Sequence, residues 1–245
     1  MDYNSYRMDI KDTVKYSILY VGICLFISYA FYDSLFAFII SLPFAVLFFK
    51  RIKEKLKEEQ KTRLRRQFQD MIDSVASALS AGYSIENSFY EAHKDMLRLY
   101  GRNSLIVREL EYFFSMLEAG AALESVLEEF AKRADIEDIT DFAEIFTLAK
   151  RSGGDFGGII RKTVRMMKEK DDTEKEIRVI LTGRKYEQRL MCIIPFAIIL
   201  YLRITSGSFL SVLYHNPVGI AVMTVCLLIY ASSYLLSEKL IDIKV

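Results

Sequence analysis

The sequence predicts an all-α membrane protein: a cytoplasmic bundle of about six antiparallel helices flanked by two transmembrane helical hairpins. Three observations lead there. Hydrophobic residues make up 52% of the 245 and charged residues 27%, and the two are segregated, the charges crowding the middle and leaving both ends apolar. Each apolar end is long enough to enter a bilayer. Between them a helix, glycine, helix pattern comes round three times. The net charge of +1 supplies no global field to recruit nucleic acid. With three prolines and no Gly/Ser-rich tract, low-complexity segments are not expected either.

Residues 1–15 form a polar N-terminal segment carrying Arg7, Lys11 and Lys15. Residues 16–49 are almost wholly apolar and are broken only at Asp33-Ser34, which reads as two spans joined at Asp33. Basic residues lie before this stretch and, as Lys50, Arg51, Lys53, Lys55 and Lys57, directly after it, so both flanks are assigned to the cytoplasm. No small-residue cleavage site follows an h-region, and no signal peptide is assigned. The charge run from Lys50 to Arg66 then reads as a solvated helix beside anionic headgroups, or as a docking site for an acidic partner. It carries no groove-reading motif, so nucleic acid is not expected as a partner.

Residues 50–189 form the central domain. Its repeated unit is clearest around Gly82, where Phe68, Met71, Ile72, Val75 and Leu79 precede the glycine and Ile85 and Phe89 follow it. Around Gly120, Leu110, Phe113, Phe114 and Leu117 precede and Leu123, Val126 and Leu127 follow; around Gly153, Phe142, Ile145, Phe146 and Ala149 precede and Phe156, Ile159 and Ile160 follow. Spacings of three and four put these groups on one helical face. A glycine just past a helix end takes a positive φ without a Cβ penalty, so Gly82, Gly120 and Gly153 with Gly154 read as corners of helical hairpins. Ser84, with Asn87 three residues on, is placed to cap the helix after the first corner. The glycine-rich third corner lacks a following Gly-Lys-Ser/Thr and is not a nucleotide loop.

Acidic residues concentrate in this domain, among them Glu109, Glu111, Glu118, Glu124, Glu128, Glu129, Asp135, Glu137, Asp138, Asp141 and Glu144. Without clustered histidines or a calcium-loop spacing they read mostly as a wet helix face, or as a surface for a basic partner. His93 and His215 stand apart and read as packing or surface residues. Cys24, Cys192 and Cys226 fall in apolar stretches and read as small packing groups. No catalytic, cofactor-binding or metal-binding residue is assigned, and the chain is not expected to be an enzyme.

The last helix of the domain runs from Phe156 to Arg189, with basic residues returning at Arg178, Arg184, Lys185 and Arg189. Residues 190–236 read as the second hairpin: an apolar run containing Pro195 and ending at Arg203, a polar connection, and a second run from Val218 to Leu236. Arg203 reads as an interfacial residue whose charged head reaches water. Residues 237–245 form a cytoplasmic tail.

Together, Leu79-Ser-Ala-Gly82-Tyr-Ser-Ile85, Leu117-Glu-Ala-Gly120-Ala-Ala-Leu123, Gly153-Gly154 with Phe156 and Ile159, and the charged helix leading to Pro195 resemble one known family. The chain resembles the type II secretion system F-domain family, most closely its TadB/TadC-type branch, the platform proteins of tight-adherence (Flp) pilus assembly. The resemblance covers roughly residues 65–200. In the branch serving type II secretion and type IV pili proper a Gly-Glu pair often holds the third corner; here Arg151-Ser152-Gly153-Gly154 stands there, as in the tight-adherence branch.

The resemblance implies a multi-pass platform in the bacterial inner membrane that couples a cytoplasmic secretion ATPase to pilin extraction and pilus growth or secretion. Implied partners are that ATPase, a pilin or pseudopilin, a second F-domain platform protein and membrane lipid, in a homo- or hetero-oligomer. Arg63, Arg65 and Arg66, with the third corner, are expected near the ATPase contact. The rival readings are a membrane-surface enzyme using the acidic residues or Arg203, and a transporter subunit. An enzyme would need titratable groups converging in the spans, and a transporter more discontinuous helices than two short hairpins supply.

Overall fold

The computed structural model describes residues 3, 8, 10–32, 38–39, 42–152, 156–205 and 216–241. The expected turn at Asp33-Ser34, the third corner at Gly153 and Gly154, and His215 lie outside the described residues. Among those described, the secondary structure is entirely helical. In chain order it comprises α1 (Ile10–Ile27), a π turn (Ser28–Tyr32), a short 3-10 turn (Leu42–Phe44), α2 (Ala45–Ser80), α3 (Ile85–Tyr100) and α4 (Leu105–Glu118). It continues with α5 (Leu123–Ala134), α6 (Glu137–Ser152), α7 (Phe156–Thr205) and α8 (Pro217–Ile241).

The chain packs as two units. The first is Met1–Arg7 with Ile52–Asp172, and the second Met8–Arg51 with Thr173–Val245. The sequence boundaries at 49/50 and 189/190 follow composition, whereas packing divides the chain at 51/52 and 172/173. Residues 173–189 thus leave the bundle while still highly charged, and most of their side chains are exposed.

The first unit is built on aromatic side chains. Phe68 of α2 meets Phe142 of α6 edge to face at 5.5 Å, and Phe89 of α3 stacks on Phe113 of α4 at 5.1 Å. Phe68, Phe89, Phe142 and Phe146 are fully buried together with Leu64, Ile72, Met96, Ile106, Leu127, Ile139 and Ile160. Of these, Phe68, Ile72, Phe89, Leu127, Phe142, Phe146 and Ile160 are positions of the three- and four-residue spacing, and each large side chain removed from water contributes about 1.5–3 kcal/mol. From α7 the core takes Ile160, Val164 and Met167, all within that helix's first turns.

Gly82 and Gly120 each follow a helix end, both at φ +89°. The amide of Gly82 donates to Leu79 O at 3.1 Å and that of Tyr83 to Ala78 O at 3.1 Å; the amide of Gly120 donates to Leu117 O at 2.9 Å and that of Ala121 to Met116 O at 3.0 Å. Both are Schellman closures, which satisfy the last carbonyls of the preceding helix. Helices α3 and α5 then begin at Ile85 and Leu123, three residues past their glycines. Ser84 caps α3 by accepting from the Asn87 amide at 3.4 Å. Two further corners had no place in the glycine repeat: Gly101, at φ +76°, ends α3, and Asp135, at φ +51°, ends α5. Aspartate tolerates this left-handed conformation better than most L-residues.

In the second unit, Phe196 of α7 packs on Tyr230 of α8 at 5.2 Å and on Phe26 of α1 at 5.8 Å. Tyr230 donates its hydroxyl to Cys192 O at 2.7 Å, and the Tyr32 and Thr224 hydroxyls share a hydrogen bond at 3.0 Å. Two helices, α7 and the Pro217–Ser237 part of α8, are long and apolar enough to cross a membrane. Their apolar windows are 0% and 6% buried in the protein, unlike the core helix of a soluble domain, which hides such a face. Pro195 stands inside α7, where its missing amide leaves the Met191 carbonyl without its usual helical donor.

Candidate partner-binding surface

The basic run lies on α2, and the structure divides its three arginines. Arg63 and Arg66 are exposed, while Arg65 turns toward the bundle. Its Nε donates to Asp138 Oδ2 at 2.6 Å, and Asp138 is 4% exposed at the side chain against 23% for Arg65. Gln69 Nε2 donates to the same oxygen at 3.1 Å, and Lys170 Nζ approaches Asp138 Oδ1 at 3.4 Å. One buried carboxylate therefore ties α2, α6 and α7 together. Burial works against the Lys170 charge, but Asp138 and Glu137 outweigh it and raise its pKa. One turn earlier on α2, Lys61 donates to Asp135 Oδ2 at 2.7 Å, which holds the Asp135 carboxyl below its usual range.

The acidic residues do not form a uniform wet face, because Asp138 and Glu109 are both buried. Glu109 of α4 receives Arg133 of α5 through two parallel bonds, Nη1 to Oε1 at 2.9 Å and Nη2 to Oε2 at 2.8 Å. This is the fork geometry in which arginine binds a carboxylate most strongly. Tyr3, buried to 2%, donates its hydroxyl to Glu109 Oε1 at 2.7 Å. Burial first, and then the Glu109 charge, push the Tyr3 phenol far above its ordinary range. Burial also opposes the Arg133 charge, yet Glu109 holds that guanidinium's pKa above its usual value. Arg133 further lies over the Tyr112 ring at 4.9 Å.

No protein-family model, curated protein or solved structure matches this chain.

The open cleft between α2 and α3 is lined by Asp70, Asp73, Glu91 and Asp95. Each carboxylate there has a partner: Tyr100 donates to Asp70, Lys168 approaches Asp73 at 3.4 Å, Lys94 donates to Glu91 at 2.7 Å and Ser74 to Asp95 at 2.7 Å. These pairings make the cleft a polar contact surface whose carboxylates are engaged within the bundle. Among the described residues no group of three or more His, Cys, Asp or Glu side chains is placed to hold a metal ion. His93 packs edge-on against Phe114 at 5.5 Å, and Cys24 is buried while Cys226 is exposed. Arg203, read from sequence as reaching toward water, donates to the Tyr29 carbonyl in the π turn and lies 3.6 Å over the Tyr29 ring.

The sequence did not single out Glu109 and Asp138 from the wet face, nor Gln67, whose Oε1 accepts from the Ile106 amide at 3.1 Å. A signal was present, since Gln67 stands among Leu64, Phe68 and Met71, and Glu109 between Ile106 and Phe113, each at a position the helical period assigns to the core. Polar residues at core positions are partnered or costly.

Proposed function

We propose that this chain is an inner-membrane platform protein of a type II secretion or type IV (Flp, tight-adherence) pilus assembly machine. It couples a cytoplasmic secretion ATPase to pilin extraction and pilus growth or secretion. The observation that carries the reading is the repeated corner: Gly82 and Gly120 share one φ and one hydrogen-bond pattern, and each is followed at the same offset by an apolar helix start. These are the residues through which the sequence resembles the F-domain family. The exposed apolar windows of α7 and α8 support a membrane setting. In this reading two hairpins, residues 16–49 and 190–236, cross the membrane, and both termini and the central domain face the cytoplasm. Energy comes from the partner, which pushes or rotates the cytoplasmic bundle. Arg63 and Arg66 offer the ATPase exposed cations, and Arg65 holds their helix in place through Asp138.

In-cell crosslinking of the tagged full-length protein in native membranes, followed by mass spectrometry, tests this. Capture of a secretion ATPase through residues 60–170, with a pilin or a second F-domain chain through the spans, is the expected result. Capture of only the protein itself with lipid-metabolism or transport components would remove the motor-coupling role.

A further inference from the structure

Within the charged stretch of α7 that belongs to the second unit, Val179 is 73% and Tyr186 64% exposed. They are members of a regular set. Val179, Gly183, Tyr186 and Leu190 are spaced four, three and four, and the same alternation continues through Ile193, Ala197 and Leu200. Every one of them is exposed. Leu181, Gln188, Pro195 and Leu202, at intervals of seven, are half-buried and mark the side of α7 turned toward its own unit. At about 100° per residue, Leu181 lies about 160° round the helix from both Val179 and Gly183. The helix thus carries a packed stripe and, opposite it, an apolar seam with the heptad period of a coiled-coil strand. Contact with lipid requires no such period, and it does not account for Val179 and Tyr186 among charges.

We propose that this seam is the contact between two copies of the chain, joined as a parallel pair of α7 helices. The proposal rests on the membrane setting given above. A bilayer holds every copy in one orientation, so a second α7 arrives parallel and at the same depth, Leu190 level with Leu190. The seam is complementary to itself in that register, as a two-fold contact demands. Knobs-into-holes packing of a parallel pair sets Tyr186 of each copy beside Gly183 of the other, the largest seam residue against the smallest. A Cβ built on Gly183 meets nothing within 4 Å, so the space for that ring is open. Just before the seam, the same packing brings Glu176 of each copy beside Lys175 of the other, and opposite charges meet twice across the two-fold axis.

The test uses the full-length protein in native membranes, with Cys24→Ser, Cys192→Ser and Cys226→Ser as background. Val179→Cys, Gly183→Cys, Tyr186→Cys and Leu190→Cys should each give a disulfide-linked homodimer on oxidation. Arg184→Cys, Lys185→Cys and Gln188→Cys should give at least about tenfold less, because a disulfide needs Cα atoms within about 7 Å. In the natural background, Tyr186→Lys sets two like charges in the seam and should cut co-purification of two differently tagged copies at least about tenfold. Its exposed position leaves the fold of the single chain intact, which thermal unfolding checks, and Lys185→Glu, off the seam, should leave co-purification unchanged. No homodimer at any position, equal yields at 184, 185 and 188, or co-purification indifferent to Tyr186→Lys would overturn the proposal. The membrane setting is read separately: in inside-out vesicles an impermeant maleimide should label Lys185→Cys and spare Met191→Cys. Labelling of both would remove that setting while the disulfide pattern still decided the seam, and capture of the ATPase is decided by the crosslinking described above.

Discussion

Arg65 donates to Asp138 at 2.6 Å, and of the two it is Asp138 that is shut away from water. A buried carboxylate that loses its main cation keeps its desolvation cost without compensation. Arg65→Ala should therefore destabilise the protein by about 2–4 kcal/mol, less than the full penalty because Gln69 and Lys170 remain. Arg63→Glu and Arg66→Glu, on exposed side chains, should each change stability by no more than about 0.5 kcal/mol. Thermal unfolding of the three purified variants in one detergent reads the difference directly. If all three melt alike, Arg65 is not the anchor of the α2–α6 contact.

The repeated corner makes a paired prediction. A Cβ built on Gly82 or Gly120 meets nothing within 4 Å, so alanine there would clash with no neighbour. What remains is the backbone, which at φ +89° costs an L-residue about 1–3 kcal/mol. Gly82→Ala and Gly120→Ala should consequently destabilise by nearly equal amounts, and the double variant by their sum, since the two corners share no hydrogen bond. Denaturant titration of the two singles and the double checks both statements. A clear inequality would mean that the corners differ in surroundings the backbone does not reveal.

These corners also show what was legible in the chain before folding. Glycine at a helix end is a local signal, readable because it concerns φ at one residue, and the apolar spacing between corners fixes which face is buried. The Asp135 corner was less legible, since an aspartate between Lys132-Arg133 and Glu137-Asp138 looks like solvated charge until its φ is known. Least legible were partners distant in sequence. Nothing adjacent to Tyr3 announces Glu109, and nothing adjacent to Asp138 announces Arg65, because such pairs depend on how helices pack and not on the period of any one of them.

Alkaline pH offers a probe of the Tyr3 contact. Burial and Glu109 raise the folded-state pKa of this phenol well above 10.0, while in the unfolded chain it ionises near that value. Above pH 10 the unfolded state thus binds fewer protons than the folded one, and stability falls as pH rises. Below pH 10 the contribution is fully present. Tyr100, raised to about 12 by burial and by its hydrogen bond to Asp70, adds to the same slope. Tyr3→Phe should make the decline between pH 10 and 12 shallower, and leave the pH dependence below 9 unchanged. An identical alkaline slope in wild type and Tyr3→Phe would place the phenol in water.

Gln67 supplies the cap that α4 lacks. Ser104 precedes the helix in extended conformation but makes no side-chain capping bond, and the orphan amide of Ile106 is instead taken at 3.1 Å by Gln67 Oε1 from α2. Gln67 is 5% exposed, so no water replaces it cheaply. Gln67→Leu has nearly the same volume and greater apolarity, and on area alone would stabilise the core. It nevertheless strands a buried amide, a loss of about 1–3 kcal/mol that exceeds the gain from the added apolar contact. Gln67→Glu keeps an acceptor and adds a charge at a helix N-terminus, where the dipole favours it, but in a buried position whose desolvation opposes ionisation. The expected order of melting temperature is wild type, then Gln67→Glu, then Gln67→Leu, with faster hydrogen exchange at the first turn of α4 in the leucine variant. A leucine variant as stable as wild type would show that Ile106 finds another acceptor, and that α2 and α4 are held by packing alone.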